Sequence, residues 1–173
     1  MVTKPAAAAA PAAAAAAHGK AAAAAPAKEE KPEEPVAAPV EEDTTVHTGS
    51  FSFPDGSKYD GEYVTHAGHV VRHGHGRYVC GPESYDGAWE HDRMTGKGLY
   101  RFATGALYEG EFLADQFHGV GLYRWADGAE YQGGWLANRM HGEGCYRDKD
   151  GVEWRGRFFN GKYDNGRIFH TLR

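Results

Sequence analysis

Cysteine is scarce in this chain: Cys80 and Cys145 are the only two in 173 residues. Two thiols do not make a disulfide framework, and a reduced compartment is the simpler setting. No apolar run approaches the roughly 18 residues that a membrane-crossing helix needs. Basic residues are in the minority, 19 Lys+Arg against 24 Asp+Glu for a formal net charge of −5, which argues against a nucleic-acid surface. No arginine precedes Arg72, so a mitochondrial presequence is not expected. A secretory signal is also not expected, because Pro5 and Pro11 interrupt the weakly apolar alanines that follow Lys4. The four serines offer no nucleophile elbow.

The aromatic residues are absent from the first part of the chain, where all 22 are missing before Phe51. That part is made of Ala, Pro, Lys and Glu, with alanine blocks at 6–10, 12–17 and 21–25 separated by Pro11, His18-Gly19 and Pro26. Blocks this short are marginal helices in water, and proline stops them from joining. Residues 1–48 are therefore expected to be a disordered low-complexity tail with transient helix. The folding unit is expected over 49–173.

What fills that unit is a repeat. Tyr85, Tyr108, Tyr131 and Trp154 open four blocks spaced 23 residues apart, and an earlier, longer copy opens at Tyr59. In Tyr108-Glu109-Gly110-Glu111-Phe112 aromatic residues and Gly alternate with acids, the period of a strand with one apolar face. About six polar residues follow. Gly119-Val120-Gly121-Leu122-Tyr123-Arg124-Trp125 then reads as a companion strand, and Asp127-Gly128 as the turn into the next block. The pattern predicts an all-β fold: an elongated antiparallel meander of about five hairpins, with units starting near 59, 85, 108, 131 and 154. The Gly-x-Gly pairs are expected where backbones or rings approach closely.

The pattern Tyr-x-Gly-x-Trp/Phe followed by Gly-x-Gly-x-Tyr/Phe resembles the MORN repeat (membrane occupation and recognition nexus). It is complete at 85–100, 108–123 and 131–146, carries an insertion at 59–78, and is present only in its first half at 154–158. Asn165 and Arg167 replace the two later glycines of the fifth unit. The resemblance implies a non-enzymatic scaffold. MORN arrays occur in radial spoke heads and other axonemal parts, in parasite cytoskeletal rings and in junctional membrane tethers. They also occur beside catalytic domains, none of which is recognisable outside this array. It therefore implies a helix or extended peptide of a cytoskeletal assembly as partner, and a cytoplasmic, cytoskeletal address in the cilium or flagellum axoneme.

Ten aromatic residues are the candidate partner-binding set: Tyr85, Trp89, Tyr108, Phe112, Tyr123, Trp125, Tyr131, Trp135, Trp154 and Phe158. Two readings apply to them. The rings pack on each other as the array's own core, or a single-layer sheet leaves their edges exposed as a docking patch. Histidines 66, 69, 73 and 75 cluster without a Cys pair or metal-ligand spacing, so no metal and no cofactor is expected. His73, His118 and His141 recur before Gly and suggest a turn-capping role. Glycines such as Gly96 and Gly98 precede a strand, not a helix, so they form no phosphate cradle. Glu109/Glu111 read as a solvated face. Residues 139–173 hold 8 basic against 5 acidic residues, which keeps a phosphoinositide-binding membrane tether as the alternative. A regulatory subunit docking on an enzyme is a further alternative, and an unpaired end strand allows edge-to-edge oligomers.

Overall fold

The computed structural model describes residues 43–66 and 68–164. The tail up to residue 42, and Asn165 and Arg167, lie outside the described residues. The described chain forms one antiparallel sheet of 11 strands whose spatial order is their chain order, with no helix among those residues. The strands are β1 (Asp43–Ser52), β2 (Lys58–His66), β3 (His69–Cys80), β4 (Glu83–Glu90), β5 (Arg93–Arg101), β6 (Leu107–Leu113), β7 (Gln116–Arg124), β8 (Glu130–Leu136), β9 (Arg139–Arg147), β10 (Glu153–Phe159) and β11 (Lys162–Asp164). With strands about 4.8 Å apart, ten steps carry the sheet about 48 Å. The meander of hairpins is the architecture that the repeat predicts. Its first strand begins at Asp43, upstream of the expected boundary at residue 49.

Register explains why the repeat is so regular. Phe51, Tyr59, Tyr78, Tyr85, Tyr100, Tyr108, Tyr123, Tyr131, Tyr146 and Trp154 stand directly opposite one another across β1 to β10. Two residues along each strand, and so on the same face, an equally continuous row of glycines runs from Gly49 to Gly156. Cross-strand aromatic pairs stabilise a sheet, and here every pair in the row is one.

From β4 onward two turn types alternate, whereas Gly81-Pro82 alone joins β3 to β4. Five-residue loops such as Phe102–Ala106 close with Phe102 N–H on the Ala106 carbonyl and Gly105 N–H on the Phe102 carbonyl, and Gly105 takes φ +87° there. The other turn is shorter than the sequence suggests. Ala114-Asp115 alone joins β6 to β7, both residues having positive φ (47° and 67°), the type I′ geometry of two-residue hairpins. His91-Asp92 and Ala137-Asn138 repeat it. The expected polar connection of about six residues is thus a correction: Leu113 ends β6, while Gln116, Phe117 and His118 open β7.

Between Gly110 and Glu111 the pairing jumps from Gly121 to His118, so Gly119 and Val120 bulge out against β6 while staying paired with β8. The same jump recurs in β4–β5 and β8–β9. The two glycines of a Gly-x-Gly pair therefore do different work. Gly119 supplies φ +59° at the bulge, and Gly121 leaves room for a ring.

Candidate partner-binding face

The tyrosines of the even-numbered strands lie flat over the glycine row. A Cβ built on Gly110 would sit 2.5 Å from the Gly121 Cα and 2.7 Å from the Tyr108 hydroxyl oxygen. Glycine is thus needed for the ring to reach its hydrogen-bond partner three residues on. Tyr85 donates to the Ala88 carbonyl (2.9 Å), Tyr108 to Glu111 (2.9 Å) and Tyr131 to Gly134 (3.0 Å). Trp89 and Trp135 donate their indole N–H back one strand, to the carbonyls of Gly76 (2.9 Å) and Gly121 (3.1 Å). These five polar handles on buried rings are thereby satisfied within the sheet.

Eight of the ten candidate rings are buried: Tyr85, Trp89, Tyr108, Phe112, Tyr123, Tyr131, Trp135 and Phe158. They interlock edge to face, as Tyr85 does with Trp89 (5.1 Å) and Phe112 (5.0 Å), and Tyr131 with Phe158 (4.8 Å). Burial pushes the phenols of Tyr123 and Tyr131 up to about 12 and raises those of Tyr85 and Tyr108 as well, so all four stay protonated, and Tyr85, Tyr108 and Tyr131 stay donors. Trp125 and Trp154 differ. Both are half-buried, and they flank Tyr146 on opposite sides at 5.6 Å from its ring. Of the ten, these two offer a partner ring surface.

A family model matches these units. They are MORN repeats by that comparison, over residues 71–82, 85–107, 108–130 and 131–153. The matches support membership of the MORN repeat family, whose repeats are non-catalytic modules that bind proteins or membranes. No curated protein matched the chain. Three MORN units begin on the tyrosine that opens a hairpin: β4–β5, β6–β7 and β8–β9. The match at 71–82 falls on β3, and the hairpin opening at Trp154 lies beyond the matched segments.

The structure adds core residues that alternation alone does not mark. Met94, Phe117 and Met140 occupy one position in successive MORN units and are buried, as are Phe102 and the turn residues Ala106 and Ala129. Phe117 stacks on Tyr108 with ring centroids 3.8 Å apart, a burial worth about 2 kcal/mol. The only available signal was the 23-residue recurrence of Met94, Phe117 and Met140 itself. Turn capping does not fall to the histidines either. His73, His118 and His141 lie within strands, and the buried Nδ1 atoms of His73 and His141 have no hydrogen-bond partner. The caps are Asp92, Asp115 and Asn138, which accept the backbone N–H of Arg72 (2.9 Å), Met94 (2.8 Å) and Phe117 (2.8 Å) in the preceding unit. Among the described residues no three His, Cys, Asp or Glu side chains converge as metal ligands.

The opposite face of the sheet is polar. Arg124, Glu130, Arg147, Glu153 and Arg155 form a chain of ion pairs across β7 to β10, the shortest being Arg147–Glu153 at 2.7 Å. Hydrogen bonds from Arg147 and Arg155 hold the Glu153 carboxyl below its usual range. The pairs border a shallow depression of about 450 Å³ that includes Cys145. Glu109 is exposed, as expected of a solvated face, whereas Glu111 is half-buried at the bulge. Such exposed pairs contribute little each to stability.

Proposed function

We propose that this chain is a non-enzymatic scaffold whose MORN units grip a helix or extended peptide of a protein partner. The observation that carries this reading is the continuous row of ten register-matched aromatic residues, which repeats one surface at a constant pitch along about 48 Å. A partner lying along this face meets accessible rings at the β7–β10 end, where Trp125, Tyr146 and Trp154 are half-buried, and a surface shaped by buried rings elsewhere. Buried rings such as Tyr108 and Trp135 shape and stiffen this face from within, while Trp125 and Trp154 supply its accessible ring surface.

The cytoskeletal address, in a ciliary or flagellar axoneme such as a radial spoke, is proposed from the family resemblance. Two segments support a narrower likeness over 94–173: MTGKGLYRFATGALYEGEF (94–112) and DKDGVEWRGRF (148–158) resemble the small vertebrate MORN repeat-containing protein 2. Edge-to-edge association through β1, which pairs only with β2 among the described strands, fits the same scaffold role.

Affinity purification of a tagged full chain from ciliated cells, paired with localisation, tests the proposal. The expected result is retention in the detergent-extracted axoneme, and loss of the co-purifying protein in Trp125→Ala/Trp154→Ala. Recovery in the membrane fraction, with co-sedimentation on phosphoinositide vesicles at physiological salt, would instead establish the membrane tether.

A further inference from the structure

Three large apolar side chains stand in solvent at one repeat position. Leu113, Leu136 and Phe159 are the last residues of β6, β8 and β10, and they are 54%, 43% and 62% exposed. Each follows a buried ring, Phe112, Trp135 or Phe158, so strand alternation puts all three on the polar face, away from the aromatic row. Phe159 lies against His141 with ring centroids 5.3 Å apart, which anchors the row at that end.

The residues facing them across each type I′ hairpin are polar, and most are basic. Leu113 pairs with Gln116, Leu136 with Arg139 and Phe159 with Lys162. In the unit before, Glu90 pairs with Arg93, so the apolar row stops there while the basic row continues. Arg93, Gln116, Arg139 and Lys162 are all exposed.

We infer that the row Leu113, Leu136, Phe159, bordered by Arg93, Arg139 and Lys162, docks an acidic amphipathic helix lying across the strands. This surface is separate from the aromatic face described above. Spacing and charge select the occupant. Successive apolar residues of the row are two strands apart, about 9.6 Å. Seven residues of α-helix advance about 10.5 Å, so a heptad of apolar side chains keeps step with the sheet over three units. An extended segment crossing the strands at right angles would leave its own N–H and C=O groups unpaired, because the sheet's backbone groups are already used; a helix satisfies its own. The basic border selects Glu and Asp beside the apolar seam. Three basic residues, each worth about 1 kcal/mol near an anionic bilayer, fall short of stable membrane anchoring.

The test uses the full chain and a fluorescent helical peptide of three heptads with Leu at every seventh position, flanked by Glu. Two controls accompany it: the same composition with leucines at every fifth position, and Lys in place of Glu. Anisotropy titration is expected to give at least tenfold tighter binding for the heptad Glu peptide than for either control. Leu136→Asp/Phe159→Asp is expected to weaken it at least tenfold, and Arg139→Glu/Lys162→Glu to weaken it and flatten its salt dependence. These positions are exposed, so unchanged circular dichroism and melting separate lost contacts from lost fold. Equal binding of all three peptides, or no binding, overturns the inference. Binding lost in Trp125→Ala/Trp154→Ala but kept in Leu136→Asp/Phe159→Asp puts the helix on the aromatic face, overturning this surface while leaving the scaffold reading intact. Capture by phosphatidylserine vesicles that needs Leu136 and Phe159, without peptide binding, also overturns it in favour of a lipid surface.

Discussion

Asn138 accepts the backbone N–H of Phe117 through its side-chain carbonyl at 2.8 Å, although the two residues belong to different units. In return the Asn138 N–H donates to the Phe117 carbonyl at 3.2 Å. Asn138 does this from φ +64°, a region that asparagine tolerates better than most residues. One residue therefore turns its own hairpin with its backbone and holds the start of the preceding β7 with its side chain. Replacing it with alanine removes the acceptor and adds backbone strain. Asn138→Ala is expected to lower stability by about 2 kcal/mol in urea unfolding. Asn138→Gly, which keeps the backbone geometry but not the acceptor, should lose less, and Asn138→Asp, which keeps an acceptor, least of all.

A glycine of the row and a glycine of a turn contrast space with backbone conformation. At Gly110 a methyl group meets the Gly121 Cα and the Tyr108 hydroxyl, neither free to move without breaking the Tyr108–Glu111 hydrogen bond. At Gly128, φ is +92° but nothing lies within 4 Å. Gly110→Ala is expected to cost about 3 kcal/mol by overpacking, and Gly128→Ala about 1 kcal/mol by strain alone. Chemical denaturation of the two variants side by side checks the order; the reverse ranking would mean that Tyr108 does not lie over the row.

The tryptophans sort by burial in the same way. Trp135 is 3% exposed with its indole N–H bonded to Gly121, whereas Trp125 is half-buried at a loop start. Trp135→Ala is expected to destabilise the fold by about 4 kcal/mol, and Trp125→Ala by well under half of that. Thermal unfolding distinguishes them, and it identifies which variants are safe for binding assays.

Alkaline pH should loosen the sheet. The phenols of Tyr59, Tyr123 and Tyr131 are pushed by burial from the ordinary value of 10.0 up to about 12. A raised value favours the protonated form in the folded state. Its contribution to stability is therefore complete below pH 10 and is lost as pH rises from 10 through about 12. The urea midpoint should be level below pH 10 and fall above it, with phenolate absorbance of these buried tyrosines in the folded protein delayed toward about pH 12. Full phenolate titration near pH 10 in the folded protein would contradict this.

Much of the fold was legible because alternation and recurrence are written into single residues. Tyr108, Gly110 and Phe112 declare a strand face, and Asp127-Gly128 declares a turn. The type I′ turns were not legible, because Ala114-Asp115 and Ala137-Asn138 adopt positive φ without glycine, held there by bonds to the neighbouring unit that no local pattern reveals. Hidden with them were the strand starts at Gln116 and Arg139, and hence the burial of Phe117 and Met140. The same limit applied to the candidate site. Periodicity selects which side chains share a face, but only the packing of Tyr, Trp and Phe against Gly decides which of those rings remain accessible. Trp125 and Trp154 belong to the expected set, whereas Leu113, Leu136 and Phe159 fall outside it, because the polar stretch after each ring hides where its strand ends.

The caps at Asp92, Asp115 and Asn138 all reach backward, never forward. Each unit is thus completed by its successor, which gives the array a direction in time. On the ribosome, where the N-terminal part emerges first, a newly made hairpin lacks its cap until the following turn has been synthesised. An artificial truncation after Arg124 would leave Phe117 without its cap, so fraying should begin at the cut and travel toward β1.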